Sequence, residues 1–222
     1  MNTASEKTVI NCLLWLSIMA AMASASDPDP LQDFCVADLS SGVVKVNGFA
    51  CKDSNTVKAS DFLFRGLNKS GSTNSTFSSK VTSGSVQNFP GLNTLGISMN
   101  RVDFAPGGIN PPHTHPHATE IVYLMKGTII VGFVTTNNVL FSQKLEKGDV
   151  FVIPRGLMHF QQNTGSSKAV ALSAFNSQMP SVQILPFSLF GSSPAIPDDV
   201  LAKAFQISYE EVKNISSKSV PS

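Results

Sequence analysis

The sequence lacks clusters of lysine and arginine, and its formal net charge at pH 7 is only +1. Charged residues make up 14% of the chain, and no basic run marks a surface that could follow a phosphate backbone. Because nucleic-acid-binding domains concentrate positive charge in such patches, the composition argues against a nucleic-acid partner. The 42% of hydrophobic residues in a 222-residue chain suits one globular domain rather than a disordered or collagen-like class.

The chain also lacks an apolar run of the roughly 20 residues that a membrane span requires. Its most apolar N-terminal stretch, Leu13–Met22, follows Lys7 and precedes the small residues Ala23, Ser24 and Ala25. This pattern is typical of a secretory signal peptide, which we predict over residues 1–25. The alternative, a membrane anchor, needs a longer run. We therefore expect a secreted chain with no membrane attachment after signal cleavage.

Cysteine is scarce, with three residues in the chain, and Cys12 falls within the predicted signal peptide. Removal of the signal peptide would leave two cysteines, Cys35 and Cys51. An even number of cysteines in an exported protein predicts one disulfide, here between these two residues. Closing a loop of this length is worth about 3 kcal/mol in the chain-entropy model. The alternative is two free buried thiols. A metal role is not expected, because a closed thiolate site would recruit more soft ligands nearby.

Helical periodicity is absent from residues 95–175, where short β-branched and aromatic runs alternate with glycine turns. So many strands in succession predict an antiparallel barrel or jelly roll, an all-β fold that hides its sheet edges. Further strands are expected near Val182 to Phe190, whereas the polar stretch Gly66–Ser85 predicts a surface loop. The predicted strands are Leu95–Phe104, Ile121–Met125, Thr128–Val134, Leu140–Lys144, Val150–Ile153, Met158–Gln162 and Ala169–Phe175.

The C-terminal residues change to helical periodicity after Pro197. Asp198 and Asp199 can cap a first helix, and Ser208 with Glu211 matches a capping box that opens a second. We therefore divide the chain into a signal peptide (1–25), an N-terminal disulfide-stapled segment (26–60), a β-barrel domain (61–196) and C-terminal helices with a tail (197–222).

Three sites match the acceptor pattern for N-glycosylation, at Asn68, Asn74 and Asn214. The first two lie in the predicted surface loop, where exposure favours modification. Because such short patterns also arise by chance, each site remains a separate expectation for a secreted protein.

Histidine is scarce as well, and three of the four histidines lie within five positions. Side chains two apart on a strand share a face, so His113 and His115 can present two imidazoles together. Glu120 lies five positions beyond His115, which would put it on the opposite face of an unbroken strand. Residues 116–119 must therefore turn the chain if this carboxylate is to join the same site. His159 supplies a third imidazole from a separate strand.

Three neutral imidazoles and one carboxylate suit manganese, iron or zinc, and a six-coordinate metal would keep two positions open. Open positions allow catalysis, and a divalent ion with one carboxylate ligand would attract small anions. We predict that His117 faces away from His113 and His115 and is not a ligand. The structural alternative is a histidine-rich surface loop that binds no metal.

Two ordered motifs carry a family resemblance that runs over nearly the whole mature chain. The chain resembles the plant germins and germin-like proteins of the cupin superfamily. Supporting segments are Ser26–Cys35, Pro90–Gly96 and Phe187–Gly191. The motifs are Gly107-x5-His113-x-His115-x4-Glu120-x6-Gly127 and Gly148-x5-Pro154-x-Gly156-x2-His159-x3-Asn163.

This resemblance implies a cupin jelly-roll β-barrel with a short C-terminal helical extension. It implies one manganese ion held by His113, His115, Glu120 and His159, together with a disulfide between the two N-terminal cysteines. It further implies a homohexamer, in which trimers pair through the C-terminal helices, and a location in the apoplast and cell wall.

The activity that the resemblance implies is hydrogen-peroxide production linked to plant defence, by an oxalate oxidase or a superoxide dismutase. Oxalate or superoxide would be the small anionic substrate. In true germins two asparagines near the manganese position oxalate, and these match Asn100 and Asn110. His117 departs from the arginine common in germins, which leaves the substrate open. The alternative function is a non-catalytic apoplastic binding or wall-associated protein.

Overall fold

The computed structural model of the chain describes residues 32–42 and 48–219. The predicted signal peptide, residues 1–25, lies outside the described residues. No helix in the described part is both long enough and apolar enough to cross a membrane. The division of the chain at residues 60 and 196 stays a prediction.

Within residues 32–42 and 48–219, ten strands form two five-stranded antiparallel sheets, which confirms the all-β jelly-roll prediction. The first sheet, in spatial order, contains β1 (Ser79–Gly84), β2 (Ser98–Phe104), β9 (Ala169–Phe175), β4 (Glu120–Lys126) and β7 (Val150–Ile153). The second sheet contains β10 (Gln183–Ile184), β3 (Ile109–Thr114), β8 (Met158–Asn163), β5 (Ile129–Val134) and β6 (Leu140–Leu145).

The core lies between the two sheets because alternate side chains of each strand point inward. Strand β9 shows this clearly, with Ala169, Ala171, Ser173 and Phe175 buried and the residues between them half-buried. The apolar core takes residues from both sheets: Val102, Phe104, Val122, Leu124, Ile129, Val131, Leu145, Ile153, Ala169 and Ala171. Further along the same inward faces, the buried side chains become polar, which is where the candidate site forms.

Two local predictions were wrong. Residues 79–84 were expected in a surface loop, but they form β1, which pairs with β2 over its whole length. The strand lies at the sheet edge with one face towards solvent, so its polar composition resembles that of a loop. Residues 185–190 were expected as strand but form helix α1 (Leu185–Phe190), with a proline in its first turn. The aromatic side chains of this helix make packing contacts, and the ring of Phe187 lies against that of Phe77.

Two further helices, α2 (Asp198–Phe205) and α3 (Tyr209–Lys218), confirm the predicted C-terminal helical extension. The capping box of α3 is present, because Ser208 and Glu211 exchange side-chain and backbone hydrogen bonds. Asp198 and Asp199 lie in the first turn of α2, but neither makes a capping hydrogen bond. Their negative charge there interacts favourably with the positive end of the helix dipole.

The N-terminal segment is tied to the barrel by covalent and polar contacts. Cys35 and Cys51 form a disulfide, as expected from the cysteine count. Asn93, which is fully buried, donates to Cys35 Sγ at 3.2 Å and to the Phe49 carbonyl at 3.0 Å, and accepts from the Phe49 amide at 3.1 Å. Short 3-10 helices complete the described segment and the loops: Ser54–Thr56, Ala59–Phe62, Gly66–Asn68 and Pro90–Leu92.

Candidate metal centre

The fold brings four predicted ligands to one point inside the barrel. One potential ligand atom from each of them lies within 4.8 Å of the others. All four side chains are at least nine-tenths buried. They are His113, His115, Glu120 and His159. Clustering of this kind far from solvent argues against the alternative of a histidine-rich surface loop.

The four side chains come from both sheets. His113 on β3 lies directly opposite His159 on β8, and their ring centroids are 4.0 Å apart. His115 follows the last residue of β3, and the chain then turns through residues 116–119 into β4. Glu120 is the first residue of β4, in the other sheet. The turn required by the odd spacing is therefore present, and it carries the carboxylate across the barrel.

The proline pair before His113 shapes this strand. Pro111 and Pro112 lie within β3, where neither can donate a backbone hydrogen bond. The register between β3 and β8 shifts between Asn110 and His113, so the prolines occupy the irregular part of the ladder. This irregularity sets the face on which His113 enters the site.

Backbone carbonyls orient the imidazoles. Nδ1 of His113 lies 2.8 Å from the Pro111 oxygen, and Nδ1 of His159 lies 2.8 Å from the Leu157 oxygen. Nδ1 of His115 is hydrogen-bonded to the carbonyl oxygen of Ser181. A carbonyl can only accept, so each ring donates through Nδ1–H and leaves the Nε2 lone pair for the interior. Metal-binding histidines commonly have such an outer partner.

Burial keeps the imidazoles of His113 and His115 neutral. Burial, together with the neighbouring His159 and His115, lowers the pKa of His113 from 6.5 to about 3. The pKa of His115 is also lowered, chiefly by burial. Neutral imidazole is the form that binds a metal. These two rings are therefore ready to act as ligands at neutral pH.

Glu120 is held among these rings as a carboxylate. Its Oε2 lies 3.0 Å from Nε2 of His159 and 3.5 Å from Nε2 of His115. Burial acts to raise the pKa of this carboxyl, but its interactions with His159, His115 and Ser173 outweigh that effect, so the pKa is lowered. The donor set is thus three nitrogens and one anionic oxygen, converging on one point, which fits a divalent transition metal.

A cavity of about 280 Å³ opens onto this cluster. Asn100 and Asn110 both line it, and Nδ2 of Asn110 lies 3.5 Å from Nε2 of His113. The Oδ1 atom of Asn100 accepts from the Gly84 amide at 3.3 Å, which fixes that side chain. Apolar residues such as Met179 and Val182 form much of the remaining wall. Both asparagines therefore lie beside the ligand cluster, and their role towards a substrate stays a prediction.

Sequence reasoning missed a buried residue on the His159 strand and one contact to the ligand cluster. Gln161 follows His159 by two positions on the same face of β8, and its buried Oε1 has no hydrogen-bond partner among the described residues. Strand alternation alone could have indicated this residue. Ser181 supplies the carbonyl for His115 from 66 positions away, and no local pattern predicts that contact.

His117 lies outside the cluster. Its side chain is exposed, and Nδ1 is 3.2 Å from Oγ of Ser181 at the edge of the cavity. Because Ser181 also accepts from His115 through its carbonyl, the segment before β10 contacts both histidines. The three sequon asparagines, Asn68, Asn74 and Asn214, are all exposed.

Two facing antiparallel sheets around a buried group of histidines and one carboxylate define a cupin, and the sequence model of the family described as Cupin matches residues 65–213. Within that family, the chain belongs to the germin-like proteins. It is 55% identical to germin-like protein subfamily 2 member 1 of Arabidopsis thaliana over 217 residues, which cover 98% of this chain and 99% of the relative.

Two other similar proteins bear on function. The chain is 54% identical to the rhicadhesin receptor of Pisum sativum over 193 residues, which cover 87% of this chain and 88% of the relative. The solved structure of a recombinant oxalate oxidase in complex with glycolate superposes with a TM-score of 0.85 and 50% identity. That superposition covers 87% of this chain and 98% of the other.

Proposed function

We propose that this chain is a secreted, manganese-binding oxidoreductase that produces hydrogen peroxide from a small anion in the plant cell wall. The observation that carries the proposal is the convergence of His113, His115, Glu120 and His159 at the base of a cavity. The similarity to an oxalate oxidase solved with glycolate, a small anion, supports the same chemistry. A role in plant defence follows from peroxide release outside the cell.

Manganese is the metal that we assign to this donor set. Imidazole and carboxylate groups suit several divalent ions, but a closed zinc site usually recruits cysteine. Both cysteines among the described residues are joined in the disulfide. A manganese ion held by these four residues would supply redox chemistry and attract an anion. The site's net charge would be near +1, because a single carboxylate opposes the divalent ion.

The oxidase reaction converts oxalate, dioxygen and two protons to two molecules of carbon dioxide and one of hydrogen peroxide. The chain's own contribution is to bind and orient the dianion. Asn100 and Asn110 line the cavity beside the cluster, and their amide groups can donate hydrogen bonds to a carboxylate. The apolar wall that includes Met179 and Val182 limits the water around the bound anion.

The dismutase reaction converts two superoxide ions and two protons to dioxygen and hydrogen peroxide. Superoxide is smaller than oxalate and needs no pair of amides to orient it. The same four ligands would serve both reactions, so activity assays must decide between oxalate and superoxide as the substrate. We place oxalate first because both asparagines lie against the cavity.

Secretion and assembly complete the proposal. The disulfide and the three exposed sequon asparagines support an exported, glycosylated chain. The outer face of the first sheet supports assembly into a homohexamer, because it exposes a group of apolar side chains to solvent. They include Ile121, Tyr123, Val150 and Val152, each at least 41% exposed.

Oxalate oxidase and superoxide dismutase assays on the same manganese-loaded preparation test this proposal. We expect peroxide production with one anion, and loss of that activity in a metal-free control and in His159→Ala. His117→Ala is the matched control, since this histidine lies outside the cluster. The proposal fails if the metal-loaded protein performs neither reaction faster than its metal-free form.

The second candidate is a non-catalytic binding or wall-associated protein. The observation that favours it is the 54% identity to a protein named as a receptor, the rhicadhesin receptor. The same His159→Ala variant discriminates the two candidates. If that variant loses its metal but keeps its fold and its biological effect, the binding function is the correct one.

A further inference from the structure

Ser173 lies beside the candidate metal centre on the inward face of β9. Its side chain is buried and lines the cavity together with Asn100 and Glu120. The strand register places it directly opposite Asn100 on β2 and Val122 on β4. The serine therefore lies between the amide that faces the cavity and the strand that carries the carboxylate ligand.

The register of β9 and β4 places Ser173 diagonally across from Glu120, and the serine hydroxyl is one of the groups that lower the pKa of this carboxyl. Because an ionised carboxylate can only accept, the serine must donate. The Oε2 atom of Glu120 already faces the Nε2 atoms of His159 and His115. The serine hydroxyl is thus a donor to the carboxylate from its own sheet, whereas His159 and His115 donate through Nδ1 to backbone carbonyls.

We propose that Ser173 is a positioning residue, whose hydroxyl holds the Glu120 carboxylate in the orientation that completes the metal site. A buried carboxylate that accepts from a fixed neighbouring hydroxyl cannot rotate freely about its last bond. This preorganisation lowers the cost of binding the ion, and loss of such outer partners typically weakens metal affinity by about 10- to 100-fold. The inference rests on the proposed function for its assumption that the cluster binds manganese.

An isosteric pair of variants of the full chain tests the role of the hydroxyl. Ser173→Thr and Ser173→Val add the same volume towards the cavity, but only threonine keeps a hydroxyl. The manganese dissociation constant is measured by chelator competition, and the bound Mn(II) is observed by electron paramagnetic resonance. We expect the valine variant to bind about 10- to 100-fold more weakly, with an altered spectrum, and the threonine variant to resemble wild type.

Ser173→Ala provides a second measurement, because it removes the hydroxyl without adding volume. It should weaken manganese binding as valine does, while circular dichroism reports an unchanged fold. Equal affinities and equal spectra for the threonine and valine variants would overturn the inference. If the wild-type chain itself binds no manganese, the proposed function fails instead, so the two failures are distinguishable.

Discussion

The carboxylate of Glu120 and the imidazole of His159 meet at 3.0 Å inside the barrel, although they belong to different sheets. Glu120 begins β4 in the first sheet, and His159 lies on β8 in the second. An ion bound between them would join the two layers of the fold. The candidate site is therefore also a cross-link in the barrel core, and its chemistry and its stability should respond together to the same substitutions.

Glu120→Gln is expected to weaken manganese binding by more than the roughly 10- to 100-fold typical of outer partners. The change keeps the side-chain volume but removes the only anionic ligand, so the divalent charge is no longer opposed. Chelator competition measures the affinity. Glu146→Gln is the matched control, because Glu146 is exposed and pairs with Lys144 on the surface. Wild-type affinity in Glu120→Gln would contradict the assigned ligand set.

Asn110→Leu is expected to lower kcat/KM for the anionic substrate by about 10- to 100-fold, the usual value of one hydrogen bond to a charged group. The manganese content should not change, because the amide is not among the four clustered ligands. Steady-state kinetics with metal analysis separate these effects. Asn214→Leu, on the exposed face of α3, serves as the control. Unchanged kinetics in Asn110→Leu would remove this residue from the substrate site.

Acid is expected to destabilise the metal-free protein below about pH 6.5. Unfolding releases His113, whose pKa rises from about 3 in the fold to its ordinary value of 6.5. Between these limits the unfolded chain binds the additional proton, so stability falls as pH falls. His115, whose pKa is also lowered, acts in the same direction.

For His113 the slope approaches about 1.4 kcal/mol per pH unit once the pH lies well below 6.5. Urea unfolding of chelator-treated protein between pH 7 and pH 5, a range chosen around the ordinary histidine pKa, measures it. His113→Gln should show a shallower dependence, because one titrating group is gone. A flat profile in the metal-free wild type would be inconsistent with neutral buried imidazoles.

Replacing both cysteines of the disulfide with serine is expected to lower the free energy of unfolding by about 3 kcal/mol. Cys35 and Cys51 are 16 positions apart, and the bridge restricts that loop in the unfolded chain. Urea unfolding of the Cys35→Ser, Cys51→Ser protein measures the loss. Wild type treated with a phosphine reductant should show a similar decrease. No change in either sample would mean that the bridge does not contribute to stability.

The fold and most of the site could be predicted from the sequence because their signals are local. Hydrophobic runs between glycine turns identified the strands of the core, and Val150–Ile153 and Ala169–Phe175 match their predicted bounds. The odd spacing between His115 and Glu120 required a turn, which residues 116–119 provide. These features depend on alternation and turn chemistry, which neighbouring residues determine.

Other features depend on contacts between distant residues. Strand β1 consists of residues that are polar enough for a loop, and only its pairing with β2 makes it a strand. The carbonyl of Ser181 reaches His115 only because the segment before β10 folds back over the cavity. Ser173 likewise contacts Glu120 through the packing of β9 against β4. Residue type alone does not specify such neighbours.

The metal content of natively purified protein, determined by elemental analysis, tests the central claim most directly. Because the described residues contain one group of three histidines and one glutamate, we predict one manganese ion per chain. Purified His159→Ala should retain far less. A native protein that contains no stoichiometric metal, or that contains zinc in place of manganese, would contradict the account.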